Sequence, residues 1–232
     1  MVLNDFIITV ACEQHVKFAE EICNEIESSA AVRGTGIAKR SPDYIREKML
    51  EGKAVIALTK EDKWAGFCYI ENWEHGKYVV NSGLIVAPEY RKFGLAMSIK
   101  TKIFELSGTK YPGAKIFGLT TGLAVMKINS ELGYKPVTYS ELTDDEAFWS
   151  GCSSCVNYQI LMSKEKKNCL CTAMLYDPAI ENQKQKKESL TQKEKLNRNG
   201  NSKPFSMLLR KAGSGLSKVF NQKNEIKENN DA

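Results

Sequence analysis

The chain has 232 residues, 42% of them hydrophobic and 26% charged, with 33 Lys and Arg against 28 Asp and Glu. This balance fits a globular protein with one main domain and an added segment, and no run of about 18 apolar residues is present to cross a membrane. The N-terminus, MVLNDFIITV, lacks the basic segment and apolar stretch of an export signal, so the chain reads as cytoplasmic, and its seven cysteines read as reduced thiols or metal ligands rather than a disulfide framework.

Phe6-Ile7-Ile8-Thr9-Val10 predicts a short strand, and Val16, Ala19, Cys23 and Ile26 recur at helical spacing, which predicts a helix over Glu13 to Ile26. Ser28 to Arg40 is small and polar, broken by Gly34 and Gly36, and predicts a loop. Its cations Arg33, Lys39 and Arg40 either face a carboxylate-bearing substrate or stand as ordinary solvated charges. Ser41-Pro42 supplies a cap and first residue for a second helix. Lys53 to Thr59 and Trp64 to Trp73 predict a hairpin, and the turn Glu74-His75-Gly76-Lys77 leads into Tyr78 to Val86, giving three consecutive antiparallel strands.

Pro88 ends that last strand, and from Leu95 the period becomes helical, with Leu95, Ile99, Ile103 and Leu106 on one face and Lys100 and Lys102 pointing elsewhere. Between strand and helix lies Arg91-Lys92-Phe93-Gly94-Leu95-Ala96. Unpaired N–H groups of a helix start, the helix dipole, Arg91 and Lys92 would share one small volume there, which suits a phosphate. Gly94 allows positive φ or close approach of an anion, and Ala96 keeps the next position small. The plain alternative is a helix start with solvated basic residues.

At these residues the chain resembles the GCN5-related N-acetyltransferases (GNAT superfamily). Their acyl-CoA signature, Arg/Gln-x-x-Gly-x-Gly/Ala, is met by Arg91, Gly94 and Ala96 and is preceded by Val86-Ala87-Pro88-Glu89-Tyr90. After the breaker Tyr111-Pro112-Gly113 come a strand at Lys115 to Leu119, a helix at about Leu123 to Glu131, and Leu132-Gly133-Tyr134-Lys135-Pro136-Val137, similar to the family's last strand. The resemblance spans about residues 4 to 138 in order. It implies an α/β (α+β) GNAT fold, a mixed, mostly antiparallel central sheet flanked by helices. It also implies acetyl-CoA or another acyl-CoA as co-substrate: Leu84, Ile85 and Val86 beside the pantetheine arm, and Arg91, Lys92, Phe93, Gly94, Leu95 and Ala96 around the pyrophosphate.

One departure from the family concerns the acid. The family places a tyrosine, which protonates the leaving thiolate, at the position of Asn129 beside the coenzyme, and asparagine cannot donate that proton. An alkyl thiol has a pKa of about 8.5, so it leaves near neutrality with little help. Tyr134, Tyr139 and Tyr158 are the replacements available, each also readable as a core or surface tyrosine. Acyl transfer to an amine needs a neutral amine, a polarised thioester carbonyl and alignment of the two. A free backbone N–H near Leu84 to Val86 would polarise the carbonyl. Glu71, Glu74 and His75 are the candidate bases, Glu71 first, against the plain reading of each as a solvated turn residue.

Beyond Val137, Cys152-Ser-Ser-Cys155 and Cys169-Leu-Cys171 hold four of the seven cysteines. Cys-x-x-Cys with a second close pair suits one structural zinc or, less well, an iron–sulfur cluster; reduced structural thiols and redox disulfides are the alternatives. Trp149 and Tyr158-Gln-Ile-Leu-Met162 suggest an added strand docked on the sheet. WSGCSSC and CLCTAMLYDP are also similar to acetyltransferase-like proteins linked in some bacteria to the first acylation of arginine synthesis. That resemblance implies glutamate as acceptor, acetyl- or succinyl-CoA as donor, and Arg33, Lys39 and Arg40 as carboxylate binders.

From about Ile180 the composition turns to Lys, Gln, Asn, Glu and Ser, too poor in large apolar residues for a core, so a disordered tail is expected. It carries twelve Lys and Arg against six Asp and Glu, while the preceding part carries 21 against 22, so the net charge of +5 belongs to the tail. Phe205 to Lys211 and Leu216 to Phe220 could form a basic amphipathic helix for a membrane surface, nucleic acid or a partner; a solvating tail is the alternative. The expected organisation is a GNAT domain at 1–140, a Cys-containing extension at 141–179 and a basic tail at 180–232. Two functions remain open: an acyl-CoA-dependent N-acyltransferase for a small amine or amino acid, with a homodimer admitted, and a non-catalytic acyl-CoA- or metal-binding module that docks a partner through its tail.

Overall fold

The computed structural model describes residues 2–34, 37–184, 187 and 191. The chain divides into two units, Met1–Asn182 and Gln183–Ala232. Most of the basic tail, including its two apolar stretches, lies outside the described residues, as does Gly36.

In the first unit, seven strands form one mixed sheet in the order β1-β2-β3-β4-β5-β7-β6. β2 (Ala54–Thr59), β3 (Trp64–Trp73) and β4 (Tyr78–Val86) are antiparallel neighbours, as the turn residues predict, and β1 (Phe6–Val10) pairs antiparallel with β2 at the edge. β5 (Lys115–Thr120) joins β4 in parallel after a crossover through α3 (Leu95–Lys110). β6 (Lys135–Val137) pairs only with β7 (Thr172–Tyr176), which lies between it and β5. The extension therefore completes the sheet from within.

α3 and α4 (Leu123–Glu131) cover one face. Leu95, Ile99 and Ile103 are buried there against Val55, Cys68, Ile70 and Val79, each full burial contributing roughly 1.5–3 kcal/mol. On the other face, α1 (Ala19–Arg33) and α2 (Pro42–Leu50) bury Ile22, Ile26, Ile45 and Met49 against Ile56, Phe67, Tyr69 and Ile85. The short helices α5 (Glu146–Ser150) and α6 (Tyr158–Ser163) bury Trp149 and Leu161 over Tyr78, Val80, Phe117 and Leu175. No helix among the described residues is long and apolar enough to cross a membrane.

Three sequence expectations change. Residues Ser28 to Arg33 are helical rather than loop, because Ala30 and Ala31 extend α1 until Gly34 closes it; the connection to α2 is only residues 34–41. Tyr158 to Met162 is a helix, and the added strand is Thr172–Tyr176, whose inner residues are all buried. Lys100 does not point outward with Lys102. It is only 2% exposed, on a flank of α3 continued by the buried Ser107.

Candidate active site

The turn between β4 and α3 leaves several backbone N–H groups open at the start of the helix. Lys92 (φ 71°) and Gly94 (φ 84°) both adopt left-handed backbone, and α3 starts directly after Gly94. The N–H groups of Lys92, Phe93 and Gly94 donate to no backbone carbonyl among the described residues. Those of Leu95, Ala96 and Met97 open the helix and have no intrahelical acceptor. A Cβ on Gly94 would meet nothing within 4 Å, so the space beside Gly94 is open. The turn is fixed from behind: Phe93 and Tyr90 pack on Phe6 of β1.

Arg91 takes part in that fixing rather than facing the anion. Its Nε donates to the Val86 carbonyl at 3.1 Å, and its Nη2 donates to Glu25 and Ser29 of α1, each at 2.8 Å. A concavity of about 310 Å³ lined by Glu25, Ser28, Ser29, Val32, Pro88 and Arg91 flanks the turn on the α1 side, but its two charges neutralise one another. Because the Arg91 side chain is 44% exposed, solvent screens the pair. Arg91→Ala is expected to lower stability by about 1 kcal/mol, read from the urea midpoint.

Beside the turn, the sheet opens. β4 and β5 pair only at Tyr78↔Lys115, Val79↔Ile116 and Val80↔Phe117; from Asn81 onward β4 stays with β3, and from Gly118 onward β5 stays with β7. The resulting slot faces the carboxyl ends of two parallel strands, where ligands of such sheets bind. From Val86 back to Asn81 it is about 17 Å long, at roughly 3.3 Å per residue. β4 also bulges here, since Gly83 and Leu84 both stand opposite Cys68, between the pairs Tyr69↔Ser82 and Phe67↔Ile85. Ile85 and Val86 are paired with β3, so of the stretch Leu84 to Val86 only Leu84 lies in the bulge, where backbone pairing is interrupted. Leu84 is half-buried, and Ile85 and Val86 are buried.

Gly83 is needed at the bulge for two reasons. Its φ is 65°, and an added Cβ would lie 2.5 Å from the Tyr69 ring. Left-handed strain plus overpacking should make Gly83→Ala destabilising by about 3 kcal/mol, measurable as a loss of chemical-denaturation free energy.

On the α1/α2 face, at the closed end of the slot, a carboxylate is held by three donors. Glu71 is 6% exposed and pairs across to Val80, the last residue of β4 bonded to β5. Its Oε1 accepts the Tyr44 hydroxyl at 2.6 Å and Arg40 Nη2 at 3.3 Å, and its Oε2 accepts the Ser82 hydroxyl at 2.6 Å. Burial and the Glu71 charge push the Tyr44 hydroxyl above its ordinary pKa, so it remains a donor. Oε2 accepts one donor and keeps a lone-pair direction free.

Of the three cations from the α1–α2 region, Lys39 and Arg40 do not converge. Arg40 reaches Glu71; Lys39 pairs with Glu27 on the surface; Arg33 ends α1, and its side chain lies outside the described residues. The loop at 151–155 closes over Arg40: the Gly151 carbonyl accepts Arg40 Nη1 at 3.5 Å, and the Ser154 hydroxyl accepts the Lys39 N–H at 2.9 Å. Glu74 and His75 stand past the Trp73↔Tyr78 pair, at the end of β4 away from the slot. Glu74 is tied to Lys77 and Thr143, which hold its carboxyl below the usual range, and His75 is an exposed turn residue. Neither is placed to serve as the base.

Tyr134 is fully buried on the α3 face, where its hydroxyl donates to Asn81 Oδ1 at 3.0 Å. Asn129 is also buried, and its Oδ1 has no partner among the described residues; its Nδ2 lies 3.9 Å from where a Cβ on Gly118 would be, beside the slot. Tyr139 donates to the Cys171 carbonyl, and Tyr158 begins α6. Tyr44, Tyr69, Ser82, Asn81 and Lys100 carry no signal in the local sequence, because only the long-range pairing brings them to the slot.

The cysteine expectation is corrected. Among the described residues no group of three or more His, Cys, Asp and Glu side chains is arranged to hold a metal, so zinc is not supported. Cys152 and Cys169 pack on the apolar cluster with Tyr139 and Trp149, as small apolar residues do. Burial, reinforced by the neighbouring thiols, pushes Cys152 up to about 11 and Cys171 up to about 12, so both are protonated near neutral pH.

No family model matches the chain, and no curated protein matches it. Among solved structures it is similar to N-acetylglutamate synthase from Neisseria gonorrhoeae complexed with coenzyme A and N-acetyl-glutamate, at TM-score 0.54 and 12% identity over 74% of this chain and 35% of that one. It is similar to Rv2747 from Mycobacterium tuberculosis in complex with CoA, at 0.54 and 14% over 74% and 98%. A third is a GNAT-superfamily phosphinothricin acetyltransferase from Sinorhizobium meliloti in complex with acetyl-CoA, at 0.50 and 12% over 75% and 88%. The chain spans about a third of the Neisseria protein and nearly all of the Mycobacterium one. At these identities the likeness establishes the fold: the chain has the GNAT fold.

Proposed function

We propose that the protein is an acyl-CoA-dependent N-acyltransferase that transfers an acetyl or succinyl group to the amine of a small acceptor bearing a carboxylate, glutamate being the leading case. The observation that carries this reading is the slot between β4 and β5, with the open N–H groups of the α3 turn at its mouth and Glu71 at its closed end. A phosphate-bearing arm can start at the turn and run down the slot, which is about 17 Å deep, bringing an acyl group to the bulge. The solved structures with CoA or acetyl-CoA, and the one with N-acetyl-glutamate, support the same donor and acceptor class.

In this reading the residues divide the work. The amides from Lys92 to Ala96 bind the pyrophosphate, and the bulge at Gly83 and Leu84 directs a backbone N–H at the thioester oxygen. Asn129 Oδ1 accepts an amide N–H of the arm. Arg40 holds the acceptor carboxylate while remaining beside Glu71. The neutral amine attacks the carbonyl carbon, its surplus proton passes to Glu71 Oε2, and the C–S bond breaks with its electron pair going to sulfur. No protein nucleophile is required.

The test is to incubate the full chain with acetyl-CoA or succinyl-CoA and a panel of amino acids, and to identify acylated products by mass spectrometry. Acylation of acidic amino acids ahead of neutral ones supports the reading. Coenzyme binding without any acylated product would leave a non-catalytic acyl-CoA-binding module and reject it.

A further inference from the structure

The buried face of α3 carries an ion that folding alone does not call for. Lys100 is 2% exposed, and no Asp or Glu among the described residues pairs with it. Its Nζ donates to Asn81 Oδ1 at 3.3 Å and lies 5.2 Å from the centre of the Tyr134 ring. The same Asn81 oxygen accepts the Tyr134 hydroxyl, while Asn81 Nδ2 donates to Ser107 at 2.7 Å and Ser107 donates to the Ile103 carbonyl at 2.8 Å. The titratable groups facing the ammonium are Cys68 from β3 and Tyr134 from the segment after α4, both neutral. A buried cation with no counter-ion weakens a fold, and an apolar side chain of the same length would remove that penalty.

Its position suggests what the ion is for. Asn81 is the first residue of β4 past the last bond to β5, so the ammonium stands beneath the closed end of the slot, on the side opposite Glu71. Cys68, which faces the bulge, donates to the Ser82 carbonyl next door. We propose that Lys100 is the charge complement of the departing thiolate: a positioning residue whose fixed ammonium stabilises the negative charge arriving on sulfur as the C–S bond breaks. This rests on the acyl-CoA reading above. It accounts for the loss of the usual acid at Asn129, since the sulfur leaves as an anion toward a fixed cation and the amine proton goes to Glu71. In a site closed to water such a charge acts through the low dielectric without touching the sulfur.

Burial lowers the Lys100 ammonium to about 8, so it is charged at neutral pH. The folded value lies below the unfolded value of about 10.4. Stability is therefore reduced below pH 8 and recovers as pH rises from 8 toward 10.

Lys100→Met tests the assignment, with CoA itself as probe. The variant should melt higher than the wild type near pH 7, with the gain shrinking above pH 8, while kcat falls about tenfold or more at nearly unchanged KM for acetyl-CoA. The deciding measurement is ultraviolet titration of the thiol of bound CoA. In the wild type the thiol should ionise below its ordinary value of about 8.5, and in Lys100→Met at or above it. Equal titration in the two proteins, or an unchanged kcat, overturns the assignment alone. A wild type that binds no CoA overturns the acyl-CoA reading with it.

Discussion

Glu71→Gln is expected to lower kcat for acyl transfer by about 100- to 10,000-fold, the usual contribution of a positioned base. The side chain keeps its shape, so Tyr44 and Arg40 can still donate to the remaining oxygen. The Ser82 hydroxyl, which can rotate, then accepts from the new amide. Stability should drop by about 1–3 kcal/mol, the range for losing charge-assisted hydrogen bonds. The KM for the acyl donor should hold, because the turn and slot are untouched. Steady-state kinetics with saturating donor check this. A variant retaining wild-type kcat would move the base away from the only buried carboxylate that the described structure places at the closed end of the slot.

Gly94→Glu should abolish measurable acyl-CoA binding while leaving the fold. No atom lies within 4 Å of a Cβ at this position, so the added side chain fits beside the open N–H groups of the turn without displacing it. Left-handed backbone there costs a non-glycine residue about 1–2 kcal/mol, which a core of this size absorbs. A carboxylate about 4 Å from a phosphate is repelled by roughly 4 kcal/mol at an effective dielectric near 20, equivalent to about a thousandfold in affinity. Calorimetric titration with acetyl-CoA, beside a melting curve, separates the two effects. Unchanged affinity would remove the turn from the site.

The parts of this molecule legible in its sequence are the ones built locally. Strand, turn and helix from Tyr78 to Lys110 follow from β-branched residues, Pro88, Gly94 and a change of period, and the turn's open donors follow from the same residues. Lys100 is not legible in this way. Periodicity marks an apolar stripe but not its width, and β4 and Tyr134 cover the flank of α3 on which Lys100 lies. The same holds for Tyr44 and Ser82, which meet Glu71 only through pairing of distant segments.

The cysteine pairs show the opposite failure. Their spacing suits a metal, yet Cys152 and Cys169 pack on the apolar cluster and no metal-holding group is found among the described residues, because spacing states only which ligands are near in sequence. The extension likewise reads as an appendage docked through Tyr158 to Met162. Its contribution is instead Thr172–Tyr176, inserted between β5 and β6 by a long-range pairing that no local pattern encodes.

The central claim is that one site binds an acyl-CoA through the α3 turn and transfers its acyl group inside the slot, at the bulge beside Glu71. Its most direct test is to follow free thiol release and N-acylated product together, with purified full chain, acetyl-CoA and glutamate, in wild type and Glu71→Gln. The account predicts equimolar thiol and N-acyl product from the wild type and a loss of both rates in the variant. Thiol release without acylated product, or product formed equally fast by both proteins, would contradict it.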